Sequence, residues 1–92
     1  MSSRNIWYQN DIMNKKTIFL DEYRDMIKQM VEIRKKRGLT QRDLADKLRV
    51  PHCYVGRVET FERRLDIIET IRWLRVLKLS DTEIIEFIKK IL

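Results

Sequence analysis

Scarcity is the first property of this chain of 92 residues, which holds one cysteine, one proline, one histidine and two glycines. A lone cysteine cannot close an internal disulfide, which fits a reducing compartment. Two glycines and one proline are too few to punctuate a series of strands and hairpins. One histidine and one cysteine fall short of the roughly four ligands that zinc takes, so neither a metal nor a cofactor is expected. No stretch approaches the ~20 apolar residues that span a bilayer. The opening, M-S-S-R-N-I-W-Y-Q-N-D, lacks the apolar segment and small-residue cleavage site of a secretory leader, so a cytoplasmic location is expected. The length suits one small domain, without room for a catalytic cleft beside a separate assembly module.

What the chain does contain is helix formers and charge. Charged residues make up 37 % and the net charge is +6, which with the missing turn signals points to an all-α fold. The basic excess lies early: residues 1–38 carry nine Lys/Arg against five Asp/Glu, 39–65 six against four, and 66–92 five against five. A basic patch suits an anionic partner, nucleic acid ahead of membrane, and suits equally a surface that is merely soluble.

Residues 1–17 have no helical periodicity and carry Trp7 and Tyr8 among polar neighbours, so they are read as an N-terminal arm preceding a domain over 18–92. From Thr17 an apolar face recurs at steps of three and four: Phe19, Tyr23, Met26, Met30, Ile33 and the stem of Arg37. A second stripe, Leu20, Ile27 and Val31, lies roughly 100° around the same helix and is expected to meet a partner. Gly38 ends the helix after a basic last turn. Thr40 can cap a short helix, Gln41 to Leu48, with Leu44, Ala45 and Leu48 inward. A turn at 49–51 leads to a third helix ending near Thr60, with Val55 and Val58 inward. Asp66 can cap a fourth, Ile67 to Leu77, with Ile67, Ile71, Leu74 and Leu77 inward. Ser80 and Glu83 have the spacing of a capping box before a fifth helix from Thr82 to the C-terminus. That helix is apolar at Ile84, Phe87, Ile88 and Ile91, and again at Ile85 and Leu92 on another side.

Two short helices around a tight turn, with a small residue at the fifth position of the first, have the arithmetic of a helix-turn-helix over 41–60. I-R-K-K-R-G-L-T-Q-R-D-L-A-D-K-L-R-V-P-H-C-Y-V-G-R-V-E, residues 33–59, resembles the phage repressor and Cro class of DNA-binding proteins, the XRE family, and a looser likeness covers roughly 26–85. The resemblance implies a five-helix domain that reads the DNA major groove with helix 51–60. Carried over position by position, it implies base contacts from His52, Cys53, Gly56 and Arg57. It implies phosphate contacts near Thr40, Gln41 and Tyr54, and a structural salt bridge between Arg34 and Glu59. Arg63 and Arg64, just past the recognition helix, are placed for DNA phosphates. The chain departs from the family at Arg49 and Phe61, where glycine is usual, and at Pro51, where Ser or Thr commonly caps.

His52 and Cys53 are neighbours, but adjacent positions on a helix point about 100° apart, so they make no nucleophile and base pair and no enzyme is expected. A redox role for Cys53 stays open beside ordinary contact chemistry. The expected function is a DNA-binding regulator, in the manner of a repressor, acting as a homodimer through Leu20, Ile27, Val31, Ile85 and Leu92. The alternative is a protein-interaction module or antitoxin that binds a partner such as a toxin through the arm.

Overall fold

The computed structural model describes residues 20–91, which form five helices. They are α1 (Asp21–Lys36), α2 (Gln41–Leu48), α3 (His52–Glu59), α4 (Ile67–Val76) and α5 (Asp81–Lys89). No strand occurs among the described residues. The expected arm, with Trp7 and Tyr8, lies outside them, as do Phe19 and Leu92.

Three helix starts are fixed by reciprocal capping boxes. Asp43 N–H donates to Thr40 Oγ1 at 3.0 Å while Thr40 N–H donates to Asp43 Oδ2 at 2.9 Å. Asp66 with Glu69 and Ser80 with Glu83 repeat the arrangement at α4 and α5. Each box satisfies two N–H groups that a helix start leaves orphaned. Leu20 is extended and α1 begins at Asp21; the expected start near Thr17 lies outside the described residues.

The helix ends follow a second rule. After α1, α2, α3 and α4 the chain turns through a left-handed residue: Gly38, Arg49, Phe61 and Lys78. Each is followed by the paired back-bonds of a Schellman motif, such as Gly38 N–H to Lys35 O and Leu39 N–H to Arg34 O. Only the first of these positions is glycine. A side chain in this region is disfavoured by about 1–2 kcal/mol, which the surrounding packing offsets.

The core joins Tyr23, Met26, Ile27 and Met30 of α1 to Leu44, Ala45 and Leu48 of α2, Val55 and Val58 of α3, and Trp73, Leu74, Leu77, Ile84 and Phe87 beyond. Full burial of each large aliphatic contributes about 1.5–3 kcal/mol. Several inward positions differ from the periodicity. Ile27, expected on the outward stripe, is 1 % exposed and belongs to the core, on the same side of α1 as the buried Arg34 seven residues on. Arg37, expected inward, is exposed and donates from Nε to Leu77 O at 3.0 Å. Ile67 is exposed at the first residue of α4, whereas Thr70 is buried; its hydroxyl is satisfied by Asp66 O at 2.8 Å.

Candidate nucleic-acid interface

The α3 sequence H-C-Y-V-G-R-V-E contributes two inward valines, and each of its flanks is tied down by a carboxylate. Val55 and Val58 are fully buried. At the C-terminal end, Glu59 receives Arg34 Nε at 2.7 Å and a second guanidinium nitrogen at 3.0 Å. Arg34 donates its third bond to Leu39 O at 2.8 Å. Gln41 Nε2 donates to Glu59 Oε1 at 2.8 Å, so one carboxylate links α1, α2 and α3. The charges are well matched and fully bonded, the condition under which a buried pair is tolerated.

The opposite flank is held through Tyr54. Its hydroxyl donates to Glu69 Oε2 at 3.0 Å, its ring lies 6.2 Å from the core ring of Trp73, and the Arg63 guanidinium sits 4.6 Å above it. Arg63 also donates to Glu69 Oε2 at 3.1 Å. Glu69 Oε1 meanwhile accepts the Asp66 N–H at 3.0 Å. Burial pushes the Glu69 carboxyl upward, but the Asp66 N–H, Arg63 and Tyr54 outweigh it and leave its pKa lowered. The Tyr54 hydroxyl is shifted up, first by burial and then by Glu69.

Tyr54 and Glu59 lie about 140° apart around α3, with the two valines between them. The helix therefore cannot roll. What remains outward is His52, Cys53 and Arg57, all exposed, and Gly56, partly exposed. The sequence groups these four on one face, and the structure places them there. The Arg57 guanidinium has no partner among the described residues. His52 Nε2 lies 2.8 Å from Asp46 Oδ1 across the turn. A Cβ at Gly56 would meet Gln41 Oε1 at 3.5 Å, an ordinary contact. The turn itself holds Arg49 at φ 60°, the left-handed backbone for which glycine is usual. Pro51 stands as N-cap with no side-chain bond.

A family model described as HTH_3, helix-turn-helix, matches residues 30–84. The chain belongs to this helix-turn-helix family. The match covers more than half of the chain and contains all of α2, α3 and α4. No curated protein matches. The family membership makes the chain a DNA-binding helix-turn-helix protein.

Several side chains expected to meet DNA have internal partners, among them His52, paired with Asp46. Tyr54 and Arg63 are engaged with Glu69, and the Gln41 amide with Glu59. Thr40 uses its hydroxyl as the cap of α2. Arg64 is exposed, and its carbonyl accepts from Arg63 at 3.0 Å. Arg34 and Glu59 form the expected pair. Sequence reasoning did not single out Asp46, the partner of His52, or Glu69. It also passed over Arg42, an exposed cation one turn before Asp46 on α2. Among the described residues no helix is long and apolar enough to cross a membrane, and no group of three or more His, Cys, Asp or Glu could hold a metal.

Proposed function

We propose that the chain is a sequence-specific transcriptional regulator that represses by laying α3 in the major groove, and that it acts as a homodimer. The observation that carries this is the division of α3 into two pinned flanks and one outward face, on which Arg57 has no partner among the described residues while His52 is paired with Asp46. An arginine free of internal bonds can offer its planar fork to guanine O6 and N7. Beside it, His52 and Cys53 reach base edges, and Gly56 lets the helix approach closely. The Gln41 and Thr40 backbone at the start of α2, with Arg64 and Arg42, faces phosphates. Tyr54 and Arg63 act chiefly by orienting α3, a role their bonds to Glu69 favour over phosphate contact.

A dimer would place two copies of α3 about one helical turn, ~34 Å, apart. Leu20 and Ile85 remain exposed at 51 % and 56 % and are available to a second copy, and Val31 is partly buried at the edge of the core. Ile27 has no free surface to offer. A phage or mobile-element repressor, a restriction controller and an antitoxin repressing its own operon all fit this reading.

The test is selection of bound duplexes from a random pool, followed by titration across ionic strength. A two-part palindrome whose binding weakens steeply between low and moderate salt is expected. Absence of a complex at every salt concentration would overturn the proposal. Light scattering on Ile85→Asp tests assembly: the mass should fall to that of one chain.

A further inference from the structure

A groove runs between α1 and α5, and its chemistry is the reverse of the rest of the molecule. One part, of about 380 Å³, is floored by Ile33, Leu79 and Phe87 and banked by Glu32, Glu83 and Glu86. It continues through Gln29 and Lys90 into a smaller part of about 120 Å³ where Glu22 and Asp25 stand over Met26 and Phe87. The lining thus holds five carboxylates against the two ammonium groups of Lys36 and Lys90, on a chain whose net charge is +6. Among the described residues Glu86 lies 3.8 Å from the exposed Lys89, a pair worth little in solvent, and Glu83 also feels the charge of Arg37. Glu83 gives one oxygen to the Ser80 N–H and keeps the other.

We propose that this groove docks a cationic, amphipathic helical segment of another protein. An apolar floor between acidic banks is the complement of a helix with an aliphatic stripe flanked by Lys or Arg: burial supplies affinity and the charges fix orientation. From Glu22 to Glu32 the α1 bank rises about 15 Å, so it spans some ten residues of a docked helix. Carboxylates gathered along both sides of one groove repel each other, and a cationic guest relieves that repulsion. The row through Gln29 lies about 140° around α1 from Arg34, the residue that meets α3. Docking therefore leaves the α3 face open, and the proposal does not depend on DNA binding.

The probe is a synthetic Leu/Lys helix of about 14 residues, titrated into the ¹⁵N-labelled full chain, with a scrambled peptide of equal composition as control. Saturable shifts at Gln29, Glu32, Glu83 and Glu86, with Cys53 and Arg57 unmoved, are expected. Glu32→Gln with Glu86→Gln should weaken binding by about tenfold and leave both the melting temperature and DNA binding unchanged. Equal affinity for the scrambled peptide would reduce the effect to bulk charge. Shifts elsewhere on the surface would remove the groove, and reproduction of the same shifts by millimolar Mg²⁺ alone would make it a cation site; each overturns the proposal.

Discussion

Arg34 and Glu59, 25 residues apart, meet in a two-pronged ion pair of 2.7 and 3.0 Å in which both side chains are almost wholly buried. This pair joins the long first helix to the end of the recognition helix. Removing one partner strands the other charge, so Glu59→Ala should destabilise the fold by about 3–5 kcal/mol. Arg34→Met combined with Glu59→Leu should be more stable than either single variant. Urea denaturation with a common slope decides it; a loss below about 1 kcal/mol for Glu59→Ala would mean that the pair behaves as a surface one.

Three left-handed positions carry side chains, and Lys78 is the cleanest of them: φ is 72° and the residue is exposed. Lys78→Gly should stabilise by about 1 kcal/mol, read as a melting temperature higher by roughly 4–8 °C. Phe61→Gly should not do so, because its ring packs against the core and under Arg24 at 4.5 Å.

Gly56 lies inside α3 with room for a methyl group. Gly56→Ala should therefore stabilise the free protein by about 1 kcal/mol while weakening binding to the preferred DNA site. Calorimetry and binding together test this; unchanged DNA affinity would place Gly56 away from the bases.

The carboxyls of Asp43, Glu69 and Glu83 are all held below their ordinary values. The Thr40 and Ser80 N–H groups are the chief cause for Asp43 and Glu83, and for Glu69 the Asp66 N–H, Arg63 and Tyr54 outweigh burial. Groups with depressed pKa bind fewer protons folded than unfolded. Their stabilisation is complete above the unfolded value, about 4, and is lost as pH falls through the lower folded values. Stability should thus be flat with respect to these groups from pH 7 to about 5 and decline below. Glu69→Gln should make the acid limb shallower, measured by chemical denaturation at stepped pH.

Helix starts could be read from the sequence because their signals are local. Thr40, Asp66 and the Ser80–Glu83 spacing announce caps, and the structure has a capping box at each. Helix ends were harder, since only Gly38 of the four left-handed residues is a glycine. The motif and its outward face were visible because Ala45, Val55 and Val58 fix the register. On α1 the periodicity placed Tyr23, Met26 and Met30 inward, as they are, but missed Ile27, because apolar periodicity gives no weight to a buried arginine. Arg34 turns inward for Glu59 and takes Ile27 into the core with it. Glu69 was recognisable as a capping residue by its spacing from Asp66. Its hold on Tyr54, fifteen positions away, has no local signature, so the bonds of Tyr54 and Arg63 to Glu69 could not be read from the sequence.

The central claim is that the outward face of α3, with its unpartnered Arg57, reads base sequence. Its most direct test is the affinity of Arg57→Ala for the selected operator and for random DNA, by fluorescence anisotropy at several salt concentrations. The account predicts a loss of about 1–3 kcal/mol on the operator, little change on random DNA, and an unaltered salt slope. Equal losses on both, with a slope smaller by about one, would make Arg57 a phosphate contact and contradict the account.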